Sequence, residues 1–293
     1  MAKRLGAIVF FFLVIGGIIF LVRRGRELGR ESGLPVKEPG LERVRQYRDE
    51  LLGTEGLSSH NKEALEKVID RYEEYIEEHP GSARAYNDLG DILYDHAGEP
   101  HEAAKRWEKA VEIAPDFAEA HNSLAVYYDH YGDPIRGMEQ VKKAIQLDPN
   151  RGVYHYNLAT FYFAGRYEVK KKYGWDLPEI YEACLKEYKK AIILEPENFE
   201  FASDYARTYF FAKHFQVETD YDAAIAAWEY CLGLEIEDNQ KAQVLLHLAH
   251  LSEESGRLDE ARKHAEAMLK INPNNLSAKR LIERVAASQA NVP

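Results

Sequence analysis

The stretch Asn87–Phe117, NDLGDILYDHAGEPHEAAKRWEKAVEIAPDF, recurs as Asn122–Arg151, NSLAVYYDHYGDPIRGMEQVKKAIQLDPNR, with one residue fewer in the second copy. Both copies carry apolar residues at helical spacing on either side of a turn that contains Gly and Pro. A proline, Pro115 or Pro149, closes each copy. Each copy is therefore predicted to be a hairpin of two amphipathic α-helices.

Residues that close such hairpins recur along the chain at intervals of 35, 34, 47, 40 and 37 residues. They are Pro80, Pro115, Pro149, Pro196, Ile236 and Pro273. A single hairpin leaves its apolar stripe in water, whereas stacked hairpins bury one continuous stripe, so several copies are needed for stability. The sequence therefore predicts an all-α stack of helical hairpins.

The repeat resembles the tetratricopeptide repeat (TPR) family, in which small residues stand where two helices touch and aromatic residues pack beside them. The matches in the first helices are Leu89 with Gly90, Leu124 with Ala125, Leu158 with Ala159, Tyr205 with Ala206, and Leu248 with Ala249. In the second helices the small position holds Ala103, Gly137, Cys184, Ala224 and Ala261, and the packing position holds Trp107, Val141, Tyr188, Trp228 and Ala265. Tyr205, Ile236 and Ala265 depart from the pattern. The resemblance implies a right-handed superhelical TPR solenoid of about five to six hairpins, whose first helices line a concave surface.

The predicted organisation has a membrane segment, a linker and a repeat region. Residues 5–22 are predicted as a transmembrane helix and residues 23–40, rich in Gly, Pro and charge, as a flexible linker. Residues 41–80 form a degenerate N-terminal hairpin, residues 81–274 five TPR-like repeats, and residues 275–290 a C-terminal capping helix.

The membrane prediction rests on 18 consecutive uncharged residues, LGAIVFFFLVIGGIIFLV, which span about 27 Å as a helix. A cleaved signal peptide is the competing interpretation, but the run is long for one and no small-x-small cleavage site follows. Two basic residues precede the run and five follow it, which favours a single-pass protein with a cytoplasmic repeat domain. Periplasmic delivery of the repeats is the alternative. Cys184 and Cys231 fall at packing positions and are predicted to be reduced thiols in the core.

Charge argues against nucleic acid as a partner. The net charge is −11, and the first thirty residues carry +5, which leaves −16 for the remainder. An acidic surface does not neutralise phosphates, so a protein or an extended peptide is the expected partner.

The sequence gives little support for catalysis. It lacks a glycine-rich phosphate loop, a nucleophile elbow and a CxxC pair. His247 and His250, spaced i, i+3, are a weak metal signal without a recognisable third ligand. We therefore predict no enzymatic activity, no cofactor and no metal site.

The TPR resemblance assigns partner-binding side chains to the concave surface by their offset from the small residue of each first helix. They are Asn87, Asp91, Tyr94, Asn122, Asp129, Tyr156, Asn157, Thr160, Phe163, Arg207 and Phe210. The amides and carboxylates suit the backbone and the cationic side chains of a peptide, and the aromatic rings suit apolar anchors. The alternative is that Tyr156, Phe163 and Phe210 pack against neighbouring hairpins. The lysines of the carboxylate-clamp subgroup of the family are missing, so that ligand is not predicted.

Two insertions lengthen successive hairpins by 13 and 6 residues, both in the turn between the two helices. Insertions on one face of a repeat array often mark a binding face. The first supplies a predicted second contact edge of Tyr167, Lys170, Lys171, Lys172, Tyr173 and Trp175, and the second supplies His214 and Phe215. The alternative is that these residues only lengthen the hairpins.

The sequence thus predicts a membrane-tethered, non-catalytic TPR adapter or scaffold that binds protein partners in a concave groove. A periplasmic assembly factor or chaperone for envelope complexes, and a self-assembling structural TPR protein, are the alternatives. Self-association of the chain is thus left open.

Overall fold

A computed structural model of the chain describes residues 38–52 and 62–290. Within these two ranges it contains fourteen α-helices and no strand. They are α1 Pro39–Leu52, α2 Lys62–Glu78, α3 Ala83–Ile92, α4 Pro100–Ile113, α5 Ala118–His130, α6 Pro134–Leu147, α7 Gly152–Ala164, α8 Arg166–Tyr173, α9 Leu177–Leu194, α10 Phe199–Thr208, α11 Tyr221–Leu232, α12 Asp238–Glu254, α13 Leu258–Ile271 and α14 Leu276–Ala290. A π-helical turn, Leu93–Ala97, follows α3, and a 3₁₀ helix, Tyr209–Phe215, follows α10. The predicted all-α architecture of helical hairpins is confirmed.

The Gly–x–Pro turns of the two quoted copies form as their residue types require. Gly98 and Gly132 adopt φ values of 68° and 89°, a left-handed conformation that favours glycine. Pro100 and Pro134 are the first residues of α4 and α6. Proline is tolerated at this position because the backbone N–H that it lacks would have no partner within the helix. The turn therefore ends one helix and starts the next within a few residues.

The helices fall into two compact units, and the first contains the described residues up to Glu168. Its core contains the fully buried side chains of Tyr72, Leu89 and Trp107, with Leu41 contributed by α1. Helices α3 with α4 and α5 with α6 form the hairpins of the quoted copies, and α7 packs on α6. Burial of these apolar rings and side chains stabilises the stack.

The second unit runs from Val169 to the end of the described chain. Trp228 is 1% exposed in its core, which includes Ala206 of α10 and Leu248 of α12. Helix α14 covers α12 and α13 and buries Leu281 and Val285 among their apolar residues. Cys184 and Cys231 are both buried in this unit, and burial raises the pKa of both thiols.

The two insertions are helical. The first forms α8, between α7 and α9, and the second forms the 3₁₀ helix between α10 and α11. The expectation that Phe215 belongs to a contact surface is wrong, because its ring is fully buried and lies 5.2 Å from that of Tyr181. An apolar ring on a short helix that faces a core gains more from burial than from exposure.

The predicted span at residues 5–22 and most of the predicted linker lie outside the described residues. Within the described residues, no helix is long and apolar enough to cross a membrane. Helix α1 already begins at Pro39, inside the predicted linker range of 23–40. The right-handed superhelical course of the repeats stays a prediction.

Candidate partner-binding surfaces

Three asparagines recur at 35-residue intervals on the first helices of the first unit: Asn87 on α3, Asn122 on α5 and Asn157 on α7. All three are buried. The Nδ2 of Asn157 donates to Oδ1 of Asn122 at 2.8 Å, and the Nδ2 of Asn87 donates to Oδ2 of Asp91 at 3.1 Å. The repeat period therefore places these predicted partner-binding side chains in one row, which we call the asparagine row.

One acceptor of this row lacks a partner. The Oδ1 of Asn87 is buried and receives no hydrogen bond. Exchanging its amide O and N does not solve this, because the oxygen would then face the Asp91 carboxylate, which only accepts. A buried acceptor without a donor is uncommon in a folded protein and calls for an explanation.

Asp91 is held between two donors. Besides Asn87, the indole Nε1 of Trp107 donates to its Oδ1 at 2.9 Å. Trp107 can come this close because the small residue beside it is Gly90, whose Cα lacks the methyl group that would touch the indole. The packing tryptophan thus fixes a carboxylate of the predicted groove.

In the second unit the equivalent tryptophan has a different neighbour. Trp228 packs beside Ala206, and the residue that follows Ala206 is Arg207, where the first repeat has Asp91. Arginine has no acceptor, and the Nε1 of Trp228 is buried without a partner. The residue that follows the small position, near the buried tryptophan, is therefore acidic in the first unit and basic in the second.

Tyr94, Asp129 and His130 meet where α3 and α5 end. The hydroxyl of Tyr94 is hydrogen-bonded to Nδ1 of His130. Burial raises the pKa of Asp129 to about 6 and lowers the pKa of His130. Burial also raises the pKa of Tyr94, and the charge of Asp129 acts in the same direction. At neutral pH the site therefore holds an ionised carboxylate beside a neutral imidazole.

The predicted binding residues of α7 differ in their accessibility. Tyr156 and Thr160 are buried, and the Thr160 hydroxyl donates to the Tyr156 carbonyl oxygen at 3.1 Å. Phe163 is half-buried. The burial of Tyr156 and Thr160 fits the packing alternative, whereas Phe163 retains surface that a partner can reach. A role in partner binding stays a prediction for all three.

In the second unit, Arg207 forms an ion pair with Asp204 one helical turn away on α10. Phe210 lies 5.3 Å from His247, and the His247 ring stacks on Trp228 at 4.3 Å. Burial, with the charges of Arg207 and His250, lowers the pKa of His247 to about 4. His247 therefore packs among aromatic rings, whereas His250 lies 4.0 Å from Glu253. Within the described residues no group of three His, Cys, Asp or Glu side chains is placed to hold a metal ion.

The predicted second contact edge lies on α8 and on the residues that follow it. Lys170, Lys171 and Lys172 are exposed, as are Tyr167 and Tyr173 at 59% and 36%. Trp175 is half-buried and lies 6.0 Å from Tyr173. Val169, on the same helix, is fully buried and fixes which side of α8 is exposed.

Sequence reasoning missed an aromatic cluster at the end of α5. The rings of Tyr127 and Tyr131 stack at 4.8 Å, and His101 lies edge-on to Tyr131 at 5.0 Å. Tyr131 is 48% exposed. The spacing of Tyr127 and Tyr131, i and i+4 on α5, was the signal that could have revealed it.

Comparison with known proteins supports the TPR interpretation. A model of the tetratricopeptide repeat family matches residues 211–275. No curated protein matches the chain. These residues cover the end of the fourth predicted repeat and the whole of the fifth.

Solved TPR structures share the fold at low sequence identity. The structure of PilW, titled a type IV pilus biogenesis factor, is 14% identical, with a TM-score of 0.58 over 84% of this chain and 100% of PilW. That of YrrB, titled a TPR protein with an unusual peptide-binding site, is 16% identical, with a TM-score of 0.54 over 73% of this chain and 99% of YrrB. Human IFIT1 with m7Gppp-AAAA is 18% identical, with a TM-score of 0.52 over 84% of this chain and 52% of IFIT1.

The fold defines the class of this chain as an all-α helical-repeat protein. The family that the matched residues and the shared fold support is the tetratricopeptide repeat family.

Proposed function

We propose that this protein is a non-catalytic TPR adapter that holds an extended segment of a partner protein on the first helices of its repeats. Residues 5–22 tether it to a membrane through their apolar sequence. The tether raises the effective concentration of the bound segment for its neighbours in the membrane. The repeat domain is placed on the cytoplasmic side by the excess of basic residues after the span.

The observation that carries the proposal is the asparagine row. A side-chain amide both donates and accepts, so it matches the backbone of an extended peptide at any sequence. Asn87, Asn122 and Asn157 repeat this group at the repeat period, on α3, α5 and α7. The unpartnered Oδ1 of Asn87 is buried in the unbound chain, so it accepts a backbone N–H of the bound segment only after the side chains that cover it move.

The neighbours with the same fold favour different partners. PilW, by its title, serves type IV pilus biogenesis, which suits the alternative of an assembly factor for envelope complexes if the repeats face the periplasm. IFIT1, by its title, was solved with a capped RNA. The net charge of −11 opposes phosphate binding by this chain, so we favour a protein partner.

The test is affinity capture, after cross-linking, from membranes of the cells that naturally make the protein. The full chain is compared with the double variant Asn122→Ala, Asn157→Ala. Removing both members of the hydrogen-bonded pair leaves no buried polar group unpaired, so the cost in stability is limited to the space that the two amides vacate. The matched control, Tyr205→Phe with Tyr209→Phe, removes the 2.8 Å hydroxyl pair of the second unit.

A protein that the wild type and the control capture, and that the asparagine variant loses while remaining folded, supports the adapter. If all three chains capture the same protein equally well, the asparagine row is not part of the binding surface. Concentration-dependent oligomers that form in all three chains, without another protein, favour the self-assembling alternative.

We further propose that the exposed side of α8 contacts an acidic partner surface or an anionic membrane headgroup. Its support is the local excess of Lys170, Lys171 and Lys172 in an acidic chain. Replacing all three by Glu is expected to lower partner capture or vesicle binding. Replacing Lys186, Lys189 and Lys190 of α9, which are also exposed, is the control for net charge.

A further inference from the structure

The motif Tyr-Asp-His-x-Gly-x-Pro occurs twice in the first unit, beginning at Tyr94 and at Tyr128. Tyr94 follows the small residue Gly90 by four positions, whereas Tyr128 follows Ala125 by three. The additional residue of the first copy is absorbed in the π-helical turn Leu93–Ala97. Such turns are rare and are frequently found at functional sites.

The π turn gives the two tyrosines different surroundings. Tyr128 is 5% exposed, its hydroxyl donates to Glu108 at 3.0 Å, and the Arg136 guanidinium lies 4.2 Å above its ring. Tyr94 instead reaches α5, where it is hydrogen-bonded to His130. The first copy therefore contributes its tyrosine to the aspartate and histidine of the second copy.

Asp129 differs from Asp88 and Glu119, two other acids of the first unit that are shielded from solvent. Arg45 pairs with Asp88 at 2.6 Å, and Arg151 pairs with Glu119 at 3.3 Å. Within residues 38–52 and 62–290, no lysine or arginine forms an ion pair with Asp129, which is half-buried. No cation in the described part of the chain offsets the free-energy cost of removing the Asp129 carboxylate from water. Such a carboxylate gains more from binding a cation than one that is already paired.

The surroundings of Asp129 suit a cation. The equivalent positions of three other repeats are aromatic: Tyr94, Phe163 and Phe210. Tyr94 lies beside α5 at this point, because its hydroxyl is hydrogen-bonded to His130, the residue that follows Asp129 in the chain. A guanidinium stacks on aromatic rings and binds a carboxylate through two parallel hydrogen bonds, which an ammonium does not do.

We propose that Asp129, with the ring of Tyr94, binds a cationic side chain, an arginine in the first place, of the protein segment held by the repeats. The proposal rests on the proposed function and names the chemistry of its partner. The neutral imidazole of His130 orients Tyr94 and adds no competing positive charge at neutral pH.

The test is an NMR titration of the full chain in detergent, with ¹³C-labelled aspartate and histidine, against acetyl-arginine-amide. The expected result is a saturable shift of the Asp129 and His130 signals. Acetyl-citrulline-amide, which has the shape of arginine without its charge, is expected to bind at least tenfold more weakly. Asp129→Asn should weaken arginine binding at least tenfold, and Asp129→Glu should restore most of it.

The control variant is Asp116→Asn, which makes the same charge change at an exposed turn of the same unit. It should bind the arginine probe like the wild type. Equal affinity for arginine and citrulline, or wild-type affinity in Asp129→Asn, overturns the proposal. Partner capture that depends on the asparagine row while the probe fails to bind overturns this inference alone and leaves the proposed function standing.

Discussion

Replacing Gly90 by alanine tests the contact that fixes Trp107 against the predicted groove. The equivalent residues of the other four repeats are Ala125, Ala159, Ala206 and Ala249. Sequence pattern alone therefore predicts that Gly90→Ala is harmless. Because alanine is the better helix former, by about 1 kcal/mol, the pattern even predicts greater stability.

The structure predicts the opposite result. A methyl group on Gly90 would lie 2.5 Å from Nε1 and 2.7 Å from Cδ1 of Trp107. The indole is 1% exposed and donates its N–H to Asp91 at 2.9 Å, so it cannot yield without losing that hydrogen bond.

The magnitude follows from three contributions. Overpacking costs about 1–3 kcal/mol, and the lost hydrogen bond to a carboxylate costs about 1.5–3 kcal/mol. The helix propensity of alanine offsets about 1 kcal/mol. Gly90→Ala is therefore expected to destabilise the first unit by about 1.5–5 kcal/mol.

The assay is native-state hydrogen exchange of the α3 and α4 backbone amides, which measures local opening without assuming that the whole chain unfolds in one step. Gly81→Ala is the control, because nothing lies within 4 Å of its added methyl group. Its effect should stay within about 0.5 kcal/mol. Unchanged or slower exchange of the α3 and α4 amides in Gly90→Ala would show that the indole of Trp107 accommodates the added methyl group.

Three further predictions concern other contacts. Arg45→Ala removes both hydrogen bonds to Asp88, at 2.6 and 3.1 Å, and should cost about 2 kcal/mol, measured as faster hydrogen exchange in α1. His247 has a folded pKa of about 4, below the value of about 6.5 in the unfolded chain, so the unfolded state takes up the proton first. The second unit should therefore lose stability as pH falls from 6.5 to 4, by roughly 3 kcal/mol at most, and urea unfolding of His247→Leu should lack this loss. Asp176→Ala removes the capping box with Glu179 and should cost about 1 kcal/mol, with faster exchange confined to the first turn of α9.

The repeat period predicted the hairpins because it depends on many residues at once. Apolar spacing, the Gly–x–Pro turns and the closing prolines all indicate the same helices, so one irregular position such as Ile236 does not change the outcome. The period also placed Asn87, Asn122 and Asn157 on successive first helices, where they now form the asparagine row.

Details that depend on a single residue were not predictable from the pattern. One additional residue between Gly90 and Gly98 can form a loop, a bulge or a π turn, and only packing against α5 selects the π turn that brings Tyr94 to His130. The burial of Phe215 was missed for a similar reason. Counting residues locates an insertion but does not show which of its side chains faces the core.

The central claim is that the first helices hold a partner segment. It is tested most directly by a photo-crosslinking phenylalanine analogue in place of Tyr94, which is half-buried in the π-helical turn that follows α3. The comparison position is Ile193 of the second helix α9, which is 74% exposed. On irradiation of cells that naturally make the protein, the account predicts a discrete adduct with another protein from position 94 and none from position 193. Equal adducts from both positions, or none from position 94, would contradict it.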